Sequence, residues 1–192
     1  MRIIDIQEKV VPISSKIKNA YISFSKMDCS VVAIKTDIKI NGEYVVGYGF
    51  HSNGRYAVSE LLRKRFIPRI IETKEKEYLN DEENNFSPEK IWNIIMKNEK
   101  PGGHGERSTA VGVIDMAIWD LVSKIAQVPL YKYLAEKYGD GKFKNNIFVY
   151  AAGGYYYPGK DVSNLVDEMK SYIDMGFSTV KMKIGSQADK EQ

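Results

Sequence analysis

Two lysines, Lys181 and Lys183, stand two residues apart in the run Val180-Lys-Met-Lys-Ile-Gly185. In an extended segment alternate side chains share a face, so both ammonium groups project to one side and Val180, Met182 and Ile184 to the other. Each charge makes protonation of its neighbour less favourable, and a low-dielectric setting acts in the same direction. That is how a lysine becomes a base near neutral pH. Taken alone, a Lys-x-Lys pair is better explained as solvated side chains on a strand edge, so the surrounding chain has to decide.

Other chemistry-bearing residues are equally ambiguous singly. Gly154-Tyr-Tyr-Tyr-Pro-Gly-Lys160-Asp161 has the spacing of a phosphate-binding loop up to its last position, where Asp161 replaces the hydroxyl that would hold magnesium. Asp161 is better read as the N-cap of a following helix. His104, between glycines, and Lys100 beside it fit either a ligand-facing loop or a solvated turn. Asn19 and Asn53 could orient a polar substrate, yet asparagine also favours turns for conformational reasons.

The elements that must position these groups follow from pattern. Arg2–Val11 reads as a strand, and Pro12–Lys26 as a loop mixing amides, hydroxyls and cations. Cys29–Ile40 and Tyr44–Phe50 flank Asn41-Gly42, a strong hairpin signal. A helix starts near residues 51–56 and runs through Leu61, Leu62 and Phe66, and Thr73–Asn85 is charged and reads as exposed. Ser87-Pro88 opens a capped helix that ends around Lys97. From Ser108 to Ala126, Ala110, Val113, Ile114, Ala117, Ile118, Leu121 and Ile125 recur at helical spacing, with Asp115, Asp120 and Lys124 off the stripe. A short helix over Pro129–Tyr138 precedes a boundary at Gly139–Lys142. Asn146–Ala152 and Thr179–Ile184 then read as buried parallel strands around an amphipathic helix, Asp161–Met175, with the apolar stripe Val162, Leu165, Val166, Met169 and Ile173.

Composition narrows the function classes. The chain has 192 residues, 43% hydrophobic and 28% charged, with 28 Lys and Arg against 25 Asp and Glu and a net charge of +3. That is ordinary globular composition. The charges are interspersed, so no basic stripe suits a nucleic acid. One cysteine and two histidines leave no internal disulfide and no zinc pattern. Cys29 is expected to be a structural thiol. No apolar run is long enough for a bilayer, and a reducing cytoplasmic location is the default expectation.

Taken together, the hairpin opening, the helix Ala110-Val-Gly-Val-Ile-Asp-Met-Ala-Ile-Trp-Asp-Leu121 closing on Pro129-Leu130, and the Lys-x-Lys strand resemble the enolase superfamily in its mandelate racemase/muconate lactonizing group. The likeness extends to Lys18-Asn-Ala-Tyr21, Val46-Gly-Tyr-Gly-Phe-His-Ser-Asn-Gly-Arg-Tyr56, Asn98–Arg107 and Val149–Lys160, and it is nearest to hydroxy-acid dehydratases of that group. It implies an α+β capping domain over residues 1–145, followed over 146–192 by the start of an α/β modified TIM barrel, incomplete in this chain. It further implies that Lys183 removes a proton α to a carboxylate while Lys181 and magnesium stabilise the enediolate. Asn19, Tyr21, Asn53, Lys100, Tyr156 and Tyr157 would contact a small dicarboxylate or sugar acid. In such relatives the magnesium carboxylates and a histidine acid follow the Lys-x-Lys strand, so Mg2+ is expected for a complete protein and none for these 192 residues alone, which are then expected to be inactive. A homo-oligomer is expected; a racemase, a cycloisomerase or a nucleotide-binding protein are the alternatives.

Overall fold

A computed structural model describes residues 1–51, 57–103 and 105–185. The chain divides into two compact units, Met1–Pro12 with Asp28–Phe143, and Ile13–Met27 with Lys144–Gln192. The loop read over Pro12–Lys26 thus clusters almost wholly with the later residues.

In the first unit, β1 (Ile3–Pro12), β2 (Asp28–Ile40) and β3 (Glu43–Phe50) form an antiparallel sheet in the order β1-β2-β3. The turn between β2 and β3 is made by Asn41 and Gly42 at φ 53° and 87°, the left-handed pair that matches strand twist in a tight hairpin. Along β2, Ser30, Val32, Ile34 and Thr36 alternate onto the buried face. Helix α1 (Val58–Leu61), a π-helical turn (Leu62–Phe66) and α2 (Ile67–Ile71) make one helical path. After them come a 3-10 turn (Glu75–Glu77), α3 (Pro88–Ile95), α4 (Glu106–Ile125) and α5 (Leu130–Tyr138). Ser87 caps α3, accepting from the Lys90 amide, with Pro88 in the first turn.

Helix α4 lies directly on the sheet. Its stripe Ala110, Val113, Ile114, Ala117, Ile118 and Leu121 is buried, and Ile125 packs at the margin of the core. Two off-stripe residues close the free edge of β3: Asp120 accepts from the Tyr48 amide at 2.8 Å, and Lys124 donates to the Val46 carbonyl at 3.0 Å. These two contacts occupy part of the edge that another strand would need. Cys29 is partly buried and its thiol donates to the His51 carbonyl; burial, reinforced by Asp28, pushes it up and away from thiolate chemistry.

Three expectations are corrected. Thr73–Asn85 is not simply an exposed charged segment, because Tyr78 and Leu79 enter the core and the buried Asn85 amide donates to the Val122 carbonyl. Charge periodicity hid two apolar anchors. The run read as a buried strand over Asn146–Ala152 forms only β4 (Ala151–Ala152), with Ile147 and Phe148 75% and 73% exposed. Helix α6 (Val162–Asp174) forms as expected, but Val162, Val166 and Ile173 on its stripe are exposed. Periodicity marks a face fit for burial; among the described residues nothing covers these two.

The α3–α5 contact is ionic. Lys137 lies 2.9 Å from the Glu89 carboxylate and Tyr138 donates a short hydrogen bond to it. Burial alone would raise the Glu89 carboxyl, but these two donors outweigh it and hold it at about 2, against an ordinary 4.5. A depressed folded-state value means stability present above pH 4.5 and lost as pH falls toward 2. The melting temperature of Glu89→Gln should therefore lie below that of the parent at pH 6 and converge with it by pH 2, as read by circular dichroism.

Candidate functional site

The second unit contains a β-α-β segment. Strand β4 pairs in parallel with β5 (Val180–Lys181), Ala151 opposite Val180 and Ala152 opposite Lys181. Between them, α6 starts with a capping box in which Asp161 accepts from the Asn164 amide and the Asn164 side chain accepts from the Asp161 amide. The N-cap reading of Asp161 is correct.

The loop after β4 is held against the end of β5. Gly153 donates to the Lys181 carbonyl at 2.8 Å. Gly154, at φ +69°, lies so close to β5 that a Cβ there would sit 2.6 Å from Met182 Cβ and 3.0 Å from the Lys183 amide. Only glycine tolerates both the dihedral and the approach. Beyond it, the half-buried Lys183 extends its Nζ over the Tyr155 ring, 5.1 Å from the centroid, and Phe24 meets that ring edge-on at 6.0 Å. Tyr156 donates from Oη to the Lys183 carbonyl at 3.2 Å. Lys181 is exposed.

Residues 13–27 complete the arrangement. Lys18 and Tyr156 exchange two backbone hydrogen bonds, each 2.8 Å, and Lys18 also bridges to Ser23 within its own loop. Asn19 shapes this turn, its side-chain oxygen accepting from the amides of Tyr21 and Ile22. That oxygen is committed, so what Asn19 can offer a ligand is its NH2. A cavity of about 350 Å³ is lined by Lys18, Asn19, Tyr21, Ser23, Tyr156 and Tyr157 among others. Its polar rim suits a small oxygen-rich ligand.

Of the residues singled out in the sequence, Asn19, Tyr21, Tyr156 and Tyr157 therefore meet around one cavity, although Tyr21 itself is 96% exposed. Lys183 adjoins it through Tyr156, whereas Lys181 and Lys183 do not line it. Lys100 belongs to the first unit. There it borders a cavity of about 450 Å³ with Arg65, Arg107 and Glu99. Glu99 is paired with Arg65, Arg69 and Arg107; burial would raise its carboxyl, and the arginines bring it below the usual range. Asn53 and His104 lie outside the described residues.

The phosphate-loop reading fails on geometry. Lys160 is ion-paired to Glu168, donates to the Tyr155 carbonyl at 3.0 Å and leaves only 5% of its side chain exposed. Glu168 also takes the Gly154 amide, at 3.0 Å. Both groups that would grip a phosphate are thus already used. Glu168 was not legible in the sequence, since its eight-residue separation from Lys160 matches no local pairing rule.

Comparison with known proteins agrees with this architecture. No protein-family model matches the chain. It is 31% identical over 162 residues to an arabinonate dehydratase of Saccharolobus solfataricus, covering 82% of this chain and 39% of that protein. It is 27% identical over 176 residues to a D-mannonate dehydratase of Rhizorhabdus wittichii, covering 88% and 37%. The chain thus spans well under half the length of these curated relatives. Among solved structures, the N-succinyl Arg/Lys racemase of Bacillus cereus superposes with a TM-score of 0.69 at 22% identity, over 100% of this chain and 46% of that one. This is the enolase-superfamily fold. A second bearer of that fold, an enolase from Bradyrhizobium complexed with magnesium and mandelic acid, superposes with a TM-score of 0.62 at 18% identity, over 94% and 45%. The α+β capping layer and the opening of the barrel in the enolase-superfamily fold correspond to the elements described above. Active groups in barrels of this kind sit at the carboxyl ends of strands, and Lys183 follows β5 by two residues.

Proposed function

We propose that this chain carries the proton-abstracting lysine of a hydroxy-acid dehydratase acting on a small diacid of the D-tartrate type. The observation that supports it is the placement of Lys183, half-buried just past β5, with its Nζ over the Tyr155 ring and its backbone tied to Tyr156. In this reading the neutral Lys183 amine takes the proton α to a carboxylate. The electron pair left on carbon moves into the carboxylate to give an enediolate, whose charge the exposed Lys181 ammonium partly offsets. The enediolate then collapses, the β C–O bond breaks, and the hydroxyl departs as water with a proton from a general acid, a role that in this reading falls to a histidine of the longer polypeptide. The enol that remains becomes a keto acid. Asn19, Tyr156 and Tyr157 supply donors for the substrate's oxygens, and substrate-contacting roles for Lys100 and Asn53 remain part of the proposal on the family likeness alone. The dehydratase names of the sugar-acid relatives support dehydration, and the loop likeness noted in the sequence supports the diacid.

Magnesium for the complete enzyme belongs to this reading, supported by a neighbour solved with it. Among the described residues no group of three or more His, Cys, Asp or Glu could hold a metal ion. The described side chains do not fit it, and no step above runs through it. The second reading, a racemase, is favoured by the solved racemase neighbour and shares the first proton transfer. A panel of hydroxy diacids and aldonates in deuterated water with magnesium separates them. The substrate would be offered both to the 192-residue chain and to the longest natural polypeptide containing it. Keto acid from D-tartrate is expected with the longer polypeptide and none with the chain alone. Epimerised acid without keto acid would replace dehydration by racemisation, and no exchange of the α-proton in any arm would end both.

A further inference from the structure

We infer that Glu168 is a positioning residue: from α6 its carboxylate clamps the 153–160 loop through Lys160 and the Gly154 amide, and so fixes where Tyr155 and Tyr156 hold Lys183. The inference deepens the reading of Lys183 as the base and rests on it for its catalytic consequence.

The clamp has three donors on one carboxylate. Gly154 donates its amide to Oε1 at 3.0 Å, Tyr172 donates its hydroxyl to the same oxygen at 2.8 Å, and Lys160 pairs with Oε2. Gly153 is fitted to it as closely as Gly154 is to β5: a Cβ at 153 would lie 2.4 Å from Glu168 Oε1 and 2.5 Å from the Tyr172 hydroxyl. Burial would raise the Glu168 carboxyl, but the Lys160, Gly154 and Tyr172 donors outweigh it and keep it below the usual range. Lys160 then passes the constraint along the loop, with Nζ on the Tyr155 carbonyl and 4.8 Å from the Tyr157 ring centroid. Lys160 thereby holds Tyr155 and Tyr157, the two neighbours of Tyr156 in the chain. The Tyr155 ring and the Tyr156 hydroxyl are what touch Lys183. A lysine with four rotatable bonds becomes a precise base only when its surroundings fix it, and displacement of about 1 Å in such a site can cost on the order of 10²-fold in rate. The glycine-rich motif that mimics a nucleotide loop is, on this account, an internal cation bound to an internal anion.

Glu168→Gln keeps the shape and an acceptor for Gly154 while removing the ion pair. The ring current of Tyr155 should shift the Lys183 side-chain methylene resonances upfield in the parent chain, with exposed Lys181 as the unshifted reference. In Glu168→Gln the Lys183 shift should collapse toward that of Lys181 at temperatures where circular dichroism shows the chain folded, a change that general destabilisation would not produce. Lys160→Met should give the same collapse, and it supplies the result if the glutamine variant does not fold. An unchanged Lys183 shift in the folded variants overturns the inference. With the longer polypeptide, Glu168→Gln should lower kcat by about 10- to 100-fold at similar KM. Collapse of the shift with kcat intact would leave the clamp standing and remove Lys183 as the base.

Discussion

Lys183→Met should lower keto-acid formation by the longer polypeptide about 10²- to 10⁴-fold, the range contributed by a positioned general base, with the fold unchanged. Methionine keeps the length and apolar character of the side chain. What it gives up structurally is the cation–π contact with Tyr155, worth about 0.5–1 kcal/mol at a partly exposed position. Lys183→Arg is the sharper probe. It preserves the charge and the stacking on Tyr155, but a guanidinium stays protonated and cannot accept a proton from carbon. If Lys183 acts only by electrostatic attraction, arginine should retain much of the activity. If it is the base, arginine should be as poor as methionine. Deuterium exchange at the α-carbon, followed by NMR alongside keto-acid release, distinguishes these, and a Lys183→Arg enzyme retaining more than a tenth of the parent rate would exclude the proton-transfer role.

Gly49→Val should cost about 3 kcal/mol or more, at the upper end for overpacking a core. A Cβ at residue 49 would stand 2.1 Å from the Val113 carbonyl oxygen and 2.9 Å from the Ala117 amide; one at residue 47 would stand 2.2 Å from the Ala117 carbonyl oxygen. These are backbone atoms of α4, unable to step aside as the tip of a flexible side chain could. The helix would have to rise off the sheet along the line where Val32, Ile34, Val113 and Leu121 are buried. It would also pull Asp120 and Lys124 away from the β3 edge. Against a total stability of about 5–15 kcal/mol, urea denaturation should show a clear loss, and a variant within about 1 kcal/mol of the parent would mean the helix is not seated as described.

These two glycines also show what a sequence can and cannot disclose. Val46-Gly-Tyr-Gly-Phe50 stood out as part of a family likeness, but its cause lies in an element more than sixty residues later, and only the folded chain reveals that the missing side chains make room for α4. Features written in local chemistry were legible: the Asn41-Gly42 turn, the caps Ser87 and Asp161, and the stripe of α4. The same reasoning misjudged Ile147, Phe148 and the stripe of α6, because spacing reports which face is apolar and is silent on whether a cover exists. For the candidate site, the sequence picked out Asn19, Tyr156 and Tyr157, which do meet at one cavity. It could not find Glu168, or the way Lys18 joins Tyr156, since long-range pairing leaves no periodic trace.

The pairing of Lys18 with Tyr156 also has a consequence for biosynthesis. A ribosome adds about 5–20 residues per second, so the early loop emerges on the order of ten seconds before its partner segment exists. It does not wait as free chain, because Pro12 pairs with Asp28 at its base and most of its closure entropy is met once β1 and β2 zip together. The late tyrosines then arrive at a tethered, half-formed receptor. Translated as a separate peptide, residues 144–192 would have to find that receptor by diffusion.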